Sequence, residues 1–165
     1  VVAALEIKRK EMFLELLKRM EENPNLREMK KYPQHGRNNC FWHSHNVAVY
    51  SFFLAERWQW NIDLKILVMG AMLHDYYLYD IKKMGLGDYQ HGVIHPKIAV
   101  KNAREHFRLD RKTENIIKSH MWPLPFSELP KSKEAILVNL ADKFCAYQEM
   151  KRGMRLIESV LGKHF

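Results

Sequence analysis

The sequence predicts an all-α fold, a single-domain helical bundle across residues 1–165. Three observations carry this expectation. Apolar residues recur at steps of three and four along most of the chain, the spacing that places them on one face of an α-helix. Valine-rich alternating runs, the mark of half-buried strands, are missing. Only seven glycines occur in 165 residues, so strands joined by tight turns find little support. A hydrophobic share of 47% is enough for one core, and no repeat, low-complexity tract or internal linker divides the chain.

The first helix is expected from Ala3 to Glu22, on the stripe Leu5, Met12, Phe13, Leu16, Leu17 and Met20. Asn23-Pro24 stops it, because a residue before proline is pushed out of the helical region. A polar, irregular stretch then reaches Asn39. The second helix runs from about Phe41 to Trp58, and the third from Asp63, an N-cap residue, to about Tyr77. Gly85, Gly87 and Gly92 make Asp80 to Ile94 read as a loop. The fourth helix opens at Pro96, a favoured first-turn residue, which leaves His95 just outside it. The fifth covers Arg111 to Met121 and ends before Trp122-Pro123, and a loop with Pro125 and Pro130 follows. The last long helix starts near Lys133, carries Asp142 and breaks near Gly153, with a short helical tail to Phe165. The first helix could pack on its own domain or on a partner chain, which leaves a homo-oligomer open.

Charged residues make up 28% of the chain, and no apolar run reaches the roughly 18 residues of a transmembrane helix. Val1 to Leu5 lead straight into Glu6 and Lys8, unlike a secretory signal. Cys40 and Cys145 have no CxxC spacing, which reads as reduced thiols and a cytoplasmic location. The net charge of +8 attracts nucleic acid, anionic lipid or phosphorylated small molecules. It is spread over Lys8-Arg9-Lys10, Lys30-Lys31 and Lys151-Arg152, without a zinc finger or aromatic RNP signature, so nucleic acid is not the expected partner.

The chemistry lies on the inward faces of the helices. His43 shares a face with Val47, Tyr50 and Leu54; His74 with Ala71, Gly70 and Leu67; His120 with Ile116, Ile117 and Thr113; Asp142 with Val138, Ala135, Cys145 and Ala146. An ionised carboxylate buried without a partner is very costly. No Arg or Lys shares the Asp142 face, and a divalent cation would satisfy all four groups together. Asp75 follows His74 about 100° round the helix, so its two oxygens could bridge to a second ion. Gly70 and Ala71 remove bulk one turn earlier and would let neighbouring helices close in. His91 and His95 compete for one ligand place, and Pro96 favours His95. His45 points away from His43, and His106 and His164 read as surface residues.

These segments, His43-Ser44-His45-Asn46-Val47-Ala48, Gly70-Ala71-Met72-Leu73-His74-Asp75, His95-Pro96, Ile117-Lys118-Ser119-His120 and Leu140-Ala141-Asp142-Lys143, resemble the HD superfamily of metal-dependent phosphohydrolases over about residues 35 to 150. The nearest likeness is to small bacterial HD phosphohydrolases of unassigned substrate. The six-ligand pattern is also similar to that of HD-type diadenosine tetraphosphatases and HD-GYP phosphodiesterases. The resemblance implies an HD-type bundle with a metal site in its core. His43, His74, Asp75 and Asp142 would hold one divalent ion, and Asp75, His95 and His120 a second. Imidazole with carboxylate suits Fe, Mn, Co, Ni or Zn better than Mg or Ca. The implied reaction is hydrolysis of a phosphomonoester or phosphodiester, a nucleotide or another small phosphorylated molecule, by a metal-activated hydroxide. His74, Asp75 and Lys143 are its candidate catalytic residues. Many members continue the pair as HD-x-G-K. Here Leu78 stands in the place of that lysine, so the proton donor must be sought among Lys82, Lys97 and Lys143 or in a water.

Arg37, in the stretch that leads into the first ligand helix, could grip a phosphate bidentately. His35 beside it, Lys97 and Lys143 are the other candidate substrate contacts, and a solvated loop or helix surface is the plain alternative for each. Tyr76, Tyr77, Tyr79 and Trp122 could stack on a base or belong to the core. Two other classes stay open: a di-iron HD-type oxygenase with the same six ligands, and a non-catalytic nucleotide-binding module.

Overall fold

The structure, a computed structural model, describes residues 2–152. It is all-helical among those residues, with a lone bridge between Pro33 and Asn39. The expected break near Gly153, the tail helix and His164 lie outside the described residues. Among the described residues no helix is long and apolar enough to cross a membrane.

α1 (Val2–Glu22) ends where expected, but the chain does not then become irregular. The Asn23 side chain accepts from the backbone N–H of Asn25 and Leu26 and caps α2 (Pro24–Arg27), with Pro24 in its first turn. The missing proline N–H would have been unpaired there in any case. A 3-10 turn (Glu28–Lys31) follows, and Leu26 and Met29, both fully buried, anchor the pair. α3 (Cys40–Arg57) is capped by Asn39, which accepts from Trp42 N–H at 3.0 Å. α4 (Leu64–Leu73) is capped by Asp63 as expected and closes at His74.

The expected loop over Asp80 to Ile94 is instead largely helical. α5 (Ile81–Met84) is capped by Asp80 and stopped by Gly85, whose φ of 66° suits a residue without a Cβ. α6 (Asp88–His106) opens behind Gly87 and runs through Pro96, so His95 lies inside a helix and not before one. Proline removes one backbone bond here. The buried stripe Gly92, His95, Pro96, Ala99, Val100 and Ala103, at helical spacing, offsets that loss. Gly92 serves close approach: a Cβ there would lie 3.1 Å from Leu124 Cδ2 and 3.3 Å from Met121 Cε. α7 (Arg111–Ser119) is capped by Asp110, and α8 (Lys133–Arg152) by Ser132.

α3 packs on α4 and α8, and α7 on α4, α6 and α8. α1 lies over α4 and touches α3. Its Phe13 and Leu17 are buried, and the Phe13 ring stacks on Phe52 at 4.2 Å, so this helix packs on its own chain. α4 and α7 approach closely because Gly70 faces Ile116; an added Cβ would lie 2.5 Å from Ile116 Cδ1. The inner faces of α3, α4, α6, α7 and α8 therefore meet around one point.

Candidate metal centre

All six expected ligands gather at that point, each at most 6% exposed. His43 comes from α3, His74 from the end of α4, Asp75 from the turn after it, His95 from α6, His120 from the end of α7 and Asp142 from α8. His74 and Asp75 can both face the centre because α4 stops at Leu73 and the chain turns. Three overlapping sets have ligand atoms within 4.8 Å of one another: His43, His74 and Asp75; His74, His120 and Asp142; Asp75, His95 and His120. Asp75 is shared. Its Oδ2 lies 3.4 Å from His74 Nε2 and 3.8 Å from His43 Nε2, and its Oδ1 lies 3.2 Å from His95 Nε2 and 3.6 Å from His120 Nε2. Asp142 Oδ1 lies 3.0 Å from His43 Nε2 and 3.7 Å from His74 Nε2.

The backbone fixes the rings. Nδ1–H donates to the carbonyl of Ala71 from His74 (2.7 Å), of Ile117 from His120 (2.7 Å) and of His91 from His95 (2.8 Å). A carbonyl can only accept, so each Nδ1 carries a hydrogen and Nε2 is the atom turned to the centre. His43 differs: its Nδ1 bonds Glu149 Oε2 at 2.9 Å, and Asn46 donates to the other Glu149 oxygen at 2.8 Å.

The electrostatics divide the centre in two. Burial pulls His43 down, but the hydrogen bonds to Asp142 and Glu149 outweigh it and raise its pKa to about 9. His74 is likewise raised well above its usual value, burial being overcome by Asp75 and Asp142. Burial pushes Asp75 and Asp142 up, yet the histidines beside them hold both well below the usual carboxylate range. On the other side, burial and the nearby His74 and His95 push His120 down to about 3.

This donor set fits a divalent cation. His74 Nε2 and Asp75 Oδ1 are buried with no hydrogen-bond partner among the described residues. His95 Nε2 and His120 Nε2 lie 2.8 Å apart, both beside Asp75 Oδ1. Orphaned buried polar atoms are costly, and a cation shared among these atoms removes the cost.

A cleft of about 550 Å³ opens over the ligands. His35 and Lys143 line it, as do Gln34 and His91. The His35 ring meets that of His43 edge-on at 5.1 Å. Lys143 is exposed at the rim, donating from Nζ to the carbonyls of His120 (3.2 Å) and Asn139 (3.3 Å). Arg37 and Lys97 do not join them. Both are exposed and neither lines the cleft; Lys97 follows His95 by two positions, so it points about 200° round α6 from that ligand. Leu78 is half-buried. Tyr76 and Tyr77 belong to the core, with relative exposures of 0% and 1%.

Two residues stand beside the ligands without having been anticipated. Glu149 lies seven positions after Asp142, on the same helical face, and that spacing was the available signal. Gln34 donates to Asp75 Oδ2 and accepts from Tyr77 OH at 2.8 Å. Nothing in the local sequence marks it, since tertiary folding brings it there.

A family model described as HD domain matches residues 41–147. The chain belongs to the HD domain family. No curated protein and no solved structure gives a significant match to it. In this HD domain all six converging side chains fall within the matched stretch, whereas Gln34, His35 and Glu149 lie just outside it.

Proposed function

We propose that this HD domain protein is a metal-dependent phosphohydrolase that acts on a phosphomonoester or phosphodiester of a small molecule. The observation that carries the reading is the shared Asp75 carboxylate, with one oxygen turned to His43 and His74 and the other to His95 and His120. His43, His74, Asp75 and Asp142 would hold one divalent cation, and Asp75, His95 and His120 another, the donor arrangement of a two-metal hydrolase. When bound, such ions supply Lewis acidity that acidifies a water and polarises a phosphoryl group.

The protein's own groups do the rest. Nδ1–H bonds to backbone carbonyls hold three imidazoles in the tautomer that presents Nε2, and Glu149 does the same for His43. Gln34 fixes the rotation of the Asp75 carboxylate. Lys143 Nζ has three hydrogens, of which two are used by carbonyls. The third can reach a substrate oxygen and donate a proton or offset charge there, a role open because Leu78 has no proton to give.

Asp75→Ala tests the reading. The variant should lose metal, measured by elemental analysis after gel filtration, together with phosphate release from phosphoesters. Turnover at the wild-type rate would refute it.

A further inference from the structure

The cleft above the ligands is poor in cations and rich in apolar surface. Among the described residues that line it, Lys143 is the one lysine or arginine, and Asp88 is the one acid besides the candidate ligands. Gln34, His35 and His91 add polar atoms without a fixed charge. Besides the candidate ligands and Gly92, the rest of the wall is Ile81, Met121, Ala146, Tyr147 and Met150. Tyr147 and Met150 are 50% and 62% exposed, and Lys151, outside the lining, holds Tyr147 with Nζ 4.6 Å from the ring centre.

Recognition of a chain of phosphates calls for several Arg or Lys donors with bidentate or clamping geometry. Among the described residues this cleft has one ammonium, and Arg37 and Lys97 stand elsewhere. Its volume falls within the range of pockets that enclose small organic ligands, where apolar walls carry the body and a few polar groups set its orientation. We infer that the site takes a monoester with a single phosphoryl group joined to an uncharged, apolar or aromatic body. The phosphoryl group would sit over the ligands beside Lys143, and the body would lie against Ile81, Met121, Tyr147 and Met150. Asp88 works against further anionic groups on the same molecule. This inference rests on the phosphohydrolase reading and narrows it.

The test uses the metal-loaded full chain with benzyl phosphate, methyl phosphate and adenosine triphosphate as substrates. Benzyl and methyl phosphate release alcohols of similar acidity, so their ratio reports the fit of the body. Calorimetry with benzylphosphonate and methylphosphonate, which are not hydrolysed, reads binding separately from turnover. Benzyl phosphate should exceed both other substrates in kcat/KM by about tenfold or more, the scale of an apolar contact in a specificity pocket. Benzylphosphonate should bind more tightly than methylphosphonate by a similar factor. The double variant Tyr147→Ser/Met150→Ser, at two exposed positions, should bring both benzyl-to-methyl ratios towards one. Faster cleavage of adenosine triphosphate than of benzyl phosphate, or ratios unchanged in the double variant, would overturn the inference and leave the phosphohydrolase reading standing. No cleavage of any substrate and no phosphonate binding, with metal shown to be bound, would overturn both.

Discussion

Glu149 never reaches the centre, yet it governs one of the ligands that does. Its carboxylate accepts from His43 Nδ1 and is itself held by Asn46. A carboxylate behind a ligating imidazole fixes the ring and raises its basicity, and losing such a partner typically weakens metal binding about 10- to 100-fold. Glu149→Gln keeps the shape and an acceptor oxygen but removes the charge. Its metal affinity, measured by competition with a chromophoric chelator, should fall by that factor while its circular dichroism stays that of the wild type. An unchanged affinity would show that Glu149 is a packing residue. Four of the candidate ligands, His43, His74, His120 and Asp142, are legible in the sequence because each sits on an apolar helical face where a polar group needs a reason; Asp75 follows from its place after His74, and His95 from Pro96 behind it. Glu149 satisfies the same rule, seven positions beyond Asp142. Gln34 does not, because the loop 32–40, closed locally by Gln34 N–H on the Asn38 carbonyl and Cys40 N–H on the Tyr32 carbonyl, reaches Asp75 and Tyr77 only through the tertiary fold.

At the scale of elements, the candidate centre depends on helices approaching closely enough for their side chains to meet. Gly70 sets the distance between α4 and α7. A Cβ there would fall 2.5 Å from Ile116 Cδ1, 2.7 Å from Cγ2 and 2.9 Å from Cβ. Two of these atoms lie near the α7 backbone, so a rotamer change cannot clear them all and α7 must move. Overpacking of this kind typically costs about 1–3 kcal/mol. Gly70→Ala should lower stability by that amount in urea denaturation and weaken metal binding, because α7 closes at His120. Adding Ile116→Val to Gly70→Ala should recover part of both losses. If metal affinity survives Gly70→Ala intact, the helix spacing does not position His120. The sequence shows Gly70 and Ala71 as small residues one turn before His74, and it shows most helices because their stripes and caps agree. It conceals α6 because glycine and proline carry two meanings. Gly92 and Pro96 resemble breakers locally, whereas in the fold Gly92 makes room for Leu124 and Met121, and the buried stripe compensates for the proline.

Across the whole molecule, a cluster of titratable groups sealed between helices couples stability to pH, and a bound cation would couple it to metal as well. The ordinary histidine pKa is near 6.5. Without metal, the folded protein keeps protons on His43, up to about pH 9, and on His74, raised well above the ordinary value. The unfolded chain has released them above about 6.5, so stability falls as pH rises through that window. The opposite holds on the acid side. His120 and His91 are pushed down to about 3 and about 4, chiefly by burial. Below about 6.5 the unfolded chain takes up protons that these two refuse when folded, so stability falls as pH falls. The depressed Asp75 and Asp142 add a further loss at strongly acidic pH, once the unfolded carboxylates protonate. The metal-free protein should therefore have its highest Tm near pH 6.5. A cation bound at Nε2 of His43 and His74 must displace their protons, so its stabilising effect grows as pH rises towards 9. Scanning calorimetry from pH 5 to 9, with metal and with chelator, should show curves that diverge on the alkaline side, the chelated sample falling away. Parallel curves would mean that no ion competes for those two imidazoles.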